Sequence, residues 1–280
     1  MKFKKYKLTK NERYADEDWR NLLLKVRSGN YTSDQDGKIS FPQEITDFNN
    51  NADELQDEMV KFVYEGIEEN FKDPDWFKNR CILCPHNESS ANMNDRVMDL
   101  VPGEEKISYS ADSPSTNDEK DDVPTEFLNS LNYPGYPKHR MRLKNNMILM
   151  LFRNINKKRG LCNGTRLILK SIKERTLECY NPGRRELVDI PRIRLKSDIR
   201  KGGFSWTRLQ FPVQPAFAMT INKAQGQTFK GKVGVYLHKD VFSHGQLYVA
   251  LSRVTDPRNI RVGIKEEGKT KNIVLKKALK

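Results

Sequence analysis

AMTINKAQGQTF, residues 218–229, begins as an apolar strand and turns polar within five residues. FAMTI (217–221) has the near-continuous apolar character of a strand covered on both faces. NKAQGQ then delivers Asn222, Lys223, Gln225 and Gly226 to a loop and the start of a helix, where backbone N–H groups can meet phosphate. Taken alone, the segment is equally an ordinary strand-to-helix turn, because Gly and polar residues are common at turns. A second stretch follows it. In SHGQLYVALSRV (243–254), Ser243 and Gln246 have capping-box spacing, Leu247, Ala250, Leu251 and Val254 form one apolar stripe, and Pro257 closes the helix. Arg253 sits beside that stripe near the helix end, a position where arginines usually make a surface salt bridge.

KVGVYL (232–237) and IRVGI (260–264) add strands around these segments, so the last third of the chain alternates strand and helix. The first third does the same. Trp19, Leu22, Leu23 and Val26 recur at helical spacing, and Leu55, Met59, Phe62, Val63 and Ile67 predict a second helix. RCILC (80–84) reads as a buried strand, and Asn87 caps a helix through Met93, Val97 and Leu100. Between these α/β parts the texture changes. SYSADSPSTNDEKDDVPTE (108–126) is acidic and poor in large apolar groups, which predicts a solvated loop. MILMLF (147–152), TRLILKSI (165–172), TLECY (176–180) and ELVDIPRIRL (186–195) then read as strands separated by turns such as Asn163-Gly164, a small β-barrel or meander inserted into an α/β domain.

Composition narrows the partner. The 280 residues carry a net charge of +13 and are 36% hydrophobic, with a mean hydropathy of -0.78. No run approaches the roughly 18 apolar residues of a spanning helix, and MKFKKYKLTK lacks a signal-peptide core, so no membrane partner and an intracellular location are expected. Basic surfaces gain affinity by releasing counterions from a phosphate backbone, which makes nucleic acid the leading partner. The four cysteines are too few for a disulfide framework. Cys81-x-x-Cys84 with His86 has no second ligand pair, so core packing is the expectation and no metal site is assigned.

GIKEEGKT (263–270) matches the phosphate-loop pattern letter for letter. It puts Glu266 and Glu267 where a polyphosphate would sit, and few residues follow in which a metal-binding strand could form. GQTFKGKV (226–233) lacks the final Ser or Thr and runs into a strand. Both are expected to be decoys.

Together, AMTINKAQGQTF and HGQLYVALSRV resemble the last two motifs of superfamily 1 DNA helicases of the 5′-to-3′ branch, in the petite-integration-frequency and Helitron type. FLNSLNYPGYPKHRMRLKNNMILMLFRNINKKRGLCNGTRLIL (127–169), RCILCPHNE (80–88), VMDLVPGEEKISYSADS (97–113) and TKNIVLKKALK (270–280) resemble that family in the same order. The resemblance implies an α/β, RecA-like P-loop-NTPase-type second helicase domain with an inserted Src-homology-3-like β-barrel, and an N-terminal remnant of the first RecA-like domain. The implied boundaries are 1–40 for the incomplete first domain, 41–135 for the first part of the second with its acidic loop at 108–126, 136–212 for the barrel, and 213–280 for the last part.

The resemblance also implies roles. Arg13, in Asn11-Glu12-Arg13, and Arg253 would be the catalytic arginines that reach the γ-phosphate; Glu12 departs from the bulky apolar residue usual there. Gln225, Gly226 and Gln246 would couple nucleotide to DNA. Thr220, Asn222 and Lys223 would contact the strand, as would Pro85, His86 and Asn87; Asn222 replaces a common His, and Cys84 a common Thr, which removes a hydroxyl. Lys138, Arg140, Arg142, Lys144, Arg153, Lys157, Lys158, Arg159 and Arg166 would supply the barrel's positive face, or be no more than a solvated basic surface.

The complete family protein uses ATP and magnesium, held by a phosphate loop upstream of the arginine equivalent to Arg13; this sequence starts about a dozen residues before it. The expectation is therefore the C-terminal part of an ATP-dependent helicase that binds single-stranded DNA, binds no cofactor alone and does not hydrolyse ATP alone. The alternative is a non-catalytic nucleic-acid-binding remnant of a helicase or transposon protein. A nuclear location is expected, and genome maintenance (repair, recombination, telomeres) and transposition stay open, with the Helitron-like ending leaning toward transposition.

Overall fold

The computed structural model describes residues 13–114, 123–133, 135–197, 205–265 and 268–275. Asn11, Glu12, Glu266, Glu267 and the centre of the acidic segment, 115–122, lie outside them. The chain divides into two units, one from Met1–Glu65, Asn79–Met93 and Ala218–Lys280, the other from Gly66–Lys78 and Asn94–Phe217.

The first unit is built on a five-stranded sheet in the order Ala218–Thr220, Cys81–Cys84, Val233–Leu237, Ile260–Ile264, Thr46–Phe48. Every pairing is parallel. All residues of the Cys81 and Val233 strands are buried, which is why they read as unbroken apolar runs. Cys81 and Cys84 are free thiols in that core, and burial, then the neighbouring Cys81, pushes the Cys84 thiol well above the ordinary cysteine value.

The helix Ala52–Tyr64 lies on this sheet with Leu55, Met59 and Val63 wholly buried. Two glycines let it approach. A Cβ at Gly234 would meet Val63 Cγ2 at 3.1 Å, and one at Gly263 would meet Leu55 Cδ1 and Met59 Sδ at 3.1 Å. The first glycine of GIKEEGKT thus belongs to helix packing, and Lys269–Lys271 form a strand antiparallel to Lys38–Ser40 where a phosphate loop needs a helix. Likewise GQTFKGKV runs into the Val233 strand.

One helix boundary in the first third departs from the sequence expectation. The second helix stops at Tyr64, because Glu65 is extended and Gly66 left-handed (φ 79°), and Ile67 starts a separate turn. Glu17–Ser28 is helical as its spacing predicts: Asp16 Oδ1 accepts from Trp19 N at 2.8 Å, Gly29 closes the far end in the left-handed region, and Trp19, Leu23 and Val26 are buried.

The second unit is antiparallel. One sheet runs Glu186–Pro191, Thr176–Asn181, Arg166–Ile172, Ile148–Leu151, Val213–Pro215; another runs Ile193–Ser197, Trp206–Gln210, Ala111–Pro114; Glu105–Tyr109 pairs with Arg140–Lys144. ELVDIPRIRL is therefore two strands in two sheets. Pro191 has no N–H to extend the ladder, and at the corner Arg192 donates to Tyr109 O (2.6 Å) and Ser108 Oγ (2.9 Å) over the Phe211 ring.

The acidic segment is also corrected. Its two ends are ordered: Ala111–Pro114 is a strand and Thr125–Ser130 a helix. The Asp112 side chain, expected in solvent, is 0% exposed against the equally buried Arg208 side chain. Arg208 Nε and Nη2 bond the Asp112 carboxylate (3.0 and 2.6 Å), and its remaining N–H groups reach Leu131 O, Pro137 O and Leu128 O at 2.9 to 3.1 Å. Five donors meet five acceptors, so the buried charge is compensated.

Removing one partner strands the other charge. Asp112→Ala is expected to cost about 3–5 kcal/mol in urea unfolding. Asp95→Ala, which removes only the exposed Lys138–Asp95 pair at 3.9 Å, should cost less than about 1 kcal/mol.

Candidate nucleic-acid and nucleotide interface

Parallel α/β sheets present ligands at the carboxyl ends of their strands. In the first unit the Ala218 and Cys81 strands are neighbours with Thr220 opposite Cys84, so the turn after Thr220 and the segment Pro85-His86-Asn87 leave the sheet side by side. The Val233 strand flanks Cys81 on its other side, which adds the 238–245 loop to the same edge.

After Thr220 the chain makes one 3-10 turn, Ile221–Ala224, and not the helix start expected from NKAQGQ. Gln225 is extended (ψ 134°) and Gly226 left-handed (φ 81°), a pair of conformations that ends a helix. Ile221 and Ala224 point into the core, while Asn222 and Lys223 are exposed, as are Gln225 and Gly226. Thr220 is 8% exposed. Protein crowding around the Lys223 ammonium lowers its pKa from the usual lysine value.

On the next strand, Pro85 is buried, His86 half-buried and Asn87 exposed at the start of the helix Asn87–Leu100. The His86 ring stacks on Phe242, with centroids 5.0 Å apart and planes at 29°. Phe242 lies in KDVFSHG, just before the SHGQLYVALSRV segment, and is not among the residues singled out from sequence.

The capping box is not formed. The helix is shorter than expected, Gln246–Leu251, with left-handed Gly245 at its cap. Gln246, 2% exposed, accepts the Phe242 N–H on Oε1 at 3.0 Å, and its Nε2 has no partner among the described residues.

Arg253 lies beyond the helix end and is 8% exposed. Its guanidinium donates to Val249 O (2.8 Å), Gln227 O (2.9 Å), Ala224 O (3.3 Å) and Ser252 Oγ (2.8 Å). The carbonyls of Ala224 and Gln227 bracket Gln225 and Gly226. Arg253 thus clips the turn carrying Asn222 and Lys223 to the short helix, and Phe229 N donating to Arg253 O at 2.9 Å adds a backbone tie.

Arg13, 239 residues away in sequence from Ser252, donates to Ser252 O and Thr228 Oγ1, both at 2.9 Å, and Tyr14 OH reaches Ser252 O at 3.4 Å. Burial, then the Arg13 charge, lowers the Arg253 pKa. The two arginines therefore converge as like charges around Ser252 and the end of the 221–228 segment, with Tyr14, Gln227, Thr228 and Ser252 as neighbours that the sequence did not single out.

The second unit's basic residues separate by environment. Arg142 is bound to Glu105 and Asp99, each at 2.6 Å; Lys144, 9% exposed, caps Met98 O and Val101 O at 3.0 and 2.8 Å. Arg166 donates to Lys78 O and Ala216 O, both at 3.0 Å. Arg159 pairs with Glu186 at 3.2 Å, and Arg153 lies over Tyr136. Within the unit, Arg142 and Arg159 thus have carboxylate partners, Lys144 and Arg166 carbonyl acceptors, and Arg153 an aromatic face. Arg140, Lys157 and Lys158 are exposed.

Loss of the clip should register in stability. Arg253→Ala is expected to lower the unfolding free energy by about 1.5–3 kcal/mol, as for hydrogen bonds to a charged group, and Arg253→Lys to restore little, because an ammonium cannot reproduce the planar fork. Full rescue by Lys in thermal unfolding would contradict the clip.

Residues 126–172 match the family model described as DNA helicase Pif1, 2B domain. The ATP-dependent DNA helicase PIF1 of Xenopus laevis is 26% identical over 259 residues, covering 91% of this chain and 34% of that protein. Its Homo sapiens counterpart is 29% identical over 187 residues, 64% of this chain and 26% of that protein. Among solved structures, the Pif1 helicase from Bacteroides in complex with ADP-AlF3 and ssDNA matches with a TM-score of 0.58 at 18% identity, over 96% of this chain and 53% of that one. The chain thus spans about a third or less of the curated relatives' length and about half of the solved chain. Their shared fold is mixed α/β with a parallel sheet. In sequence the chain is similar to Pif1-type DNA helicases, and in fold to their solved structures, over part of their length.

Proposed function

We propose that this chain is the part of an ATP-dependent 5′-to-3′ DNA helicase that holds single-stranded DNA and couples it to nucleotide. The observation carrying the reading is the clip: Arg253 bonds the carbonyls on both sides of Gln225-Gly226, in the turn that presents Asn222 and Lys223, while Arg13 approaches the same carboxyl end of the short helix. One element thereby joins residues suited to phosphate contact on DNA to a pair of cations suited to a nucleotide phosphate. On this reading 1–40 is the end of a first RecA-like domain, 41–135 and 213–280 form a second, and 136–212 is an inserted Src-homology-3-like barrel.

The residues fit the anion. Arg13 and Arg253 are like charges in proximity, and burial and the Arg13 charge both depress the Arg253 pKa, so a phosphate would relieve their repulsion. ATP with magnesium, bound in the complete protein, supplies the phosphoryl group whose hydrolysis drives movement. The two arginines would neutralise charge on its γ-phosphate oxygens. The phosphate-loop match at 263–270 would hold none of it, since Gly263 packs under a helix and Lys269 and Thr270 pair as strand. Thr220, Asn222 and Lys223 with Pro85, His86 and Asn87 would line the strand, Gln225, Gly226 and Gln246 would transmit the nucleotide state, and Arg140, Lys157 and Lys158 would add phosphate contacts. A nuclear location agrees with this role.

A binding-only remnant is the second reading, favoured by the extent to which Arg253 is occupied by protein acceptors. Unwinding of a duplex with a 5′ single-stranded tail by the protein containing this chain decides between them. Turnover lost in Arg13→Ala supports the helicase, and no ATP-dependent unwinding supports the remnant.

Binding itself should be electrostatic. Four phosphate contacts predict a log–log salt slope near −3 for oligothymidine, at about −0.7 per contact, and Lys223→Ala should flatten it by about 0.7. Because the Lys223 pKa lies below the ordinary value of about 10.4, its contribution is present at neutral pH and lost first as pH rises. The wild type should therefore shed affinity at a lower pH than Lys223→Ala, as read by fluorescence anisotropy.

A further inference from the structure

We propose that Phe242, backed by His86, is a base-stacking platform on the carboxyl edge of the first unit's sheet; this rests on the single-strand reading above. Phe242 is 57% exposed while its neighbour Val241 is 3% exposed, so the chain turns a large ring outward where it could have been buried. The ring is not loose. Its backbone N–H is held by Gln246 Oε1 at 3.0 Å, from a side chain that is itself 2% exposed, and its face is supported by the His86 imidazole at 5.0 Å. A flat aromatic fixed from behind and open to water offers π surface to a base at little ordering cost, and every base has such a face, so the contact tolerates sequence.

Placement agrees. Phe242 follows the Val233 strand, His86 the Cys81 strand, and Asn222 and Lys223 the Ala218 strand, three consecutive strands of one parallel sheet. Two interstrand spacings, about 10 Å, separate the outer loops, a distance compatible with a phosphate held at Lys223 and a nearby base on the ring. Phosphate contacts at one end of the edge would position the strand, and stacking at the other would add the affinity that charge alone does not give.

The test compares oligothymidine with an abasic oligonucleotide of the same length, using the full chain. Phe242→Ala and Phe242→Leu should each weaken oligothymidine binding about tenfold, the scale of one stacked base, and change abasic binding less than twofold; Phe242→Trp should restore the loss. Lys223→Ala should weaken both ligands alike. Equal loss on both ligands in Phe242→Leu would assign the ring a structural role and overturn the proposal. Unchanged oligothymidine binding in a wild type that binds would also overturn it, leaving the ring for a protein partner. If the wild type binds neither ligand, the single-strand reading itself fails, and the platform with it.

Discussion

The first unit depends on what Arg253 does with its guanidinium. The chain between Ala224 and Gln227 makes the end of a single 3-10 turn followed by left-handed Gly226. The Ala224 carbonyl accepts the Gln227 N–H at 3.0 Å, and buried carbonyls gain from further donors. Arg253 adds a second donor to Ala224 O, supplies Gln227 O, and also donates to Val249 O at the end of the short helix, so one side chain sets the position of the turn relative to that helix. Arg13 then closes the same region from the other end of the chain. An arginine in this position cannot act on a nucleotide alone: any anion that draws the guanidinium away also withdraws donors from the turn bearing Lys223.

The second unit has its own equivalent in Arg208 and Asp112, where five donors and the acceptors around them tie the strand Trp206–Gln210 to Ala111–Pro114 and to the carbonyls of Leu128, Leu131 and Pro137. This explains why net charge is a poor map of binding. Arg142, Lys144, Arg166 and Arg208 count toward the +13, yet each is aimed at a carboxylate or at helix and strand carbonyls inside the unit. The charge available to a polyanion is carried by fewer, more exposed residues.

A similar lesson attaches to GIKEEGKT. A glycine in a motif says that a Cβ is not tolerated, and it does not say why. At Gly263 the reason is the Leu55 and Met59 side chains of the overlying helix, and at Lys269 and Thr270 it is strand pairing with Lys38–Ser40. The letters of a phosphate loop therefore arise from two unrelated packing demands.

The sequence by itself determined the strands with unbroken apolar runs, Cys81–Cys84 and Val233–Leu237, and the amphipathic helices Glu17–Ser28 and Asn87–Leu100, because those patterns record burial directly. It also carried the double motif that resembles Pif1-type helicases. It could not fix the ends of elements set by a few dihedrals, such as the 3-10 turn at Ile221 or the stop at Tyr64. Nor could it show the break of ELVDIPRIRL into two sheets, which depends on where a corner finds acceptors for Arg192. Only the tertiary structure decided that acidic Asp112 is buried, that Arg13 meets Ser252 across most of the chain, and that Phe242 faces outward while Val241 does not. Each of these depends on a partner distant in sequence, and a local pattern of residues holds no record of which distant group will meet it.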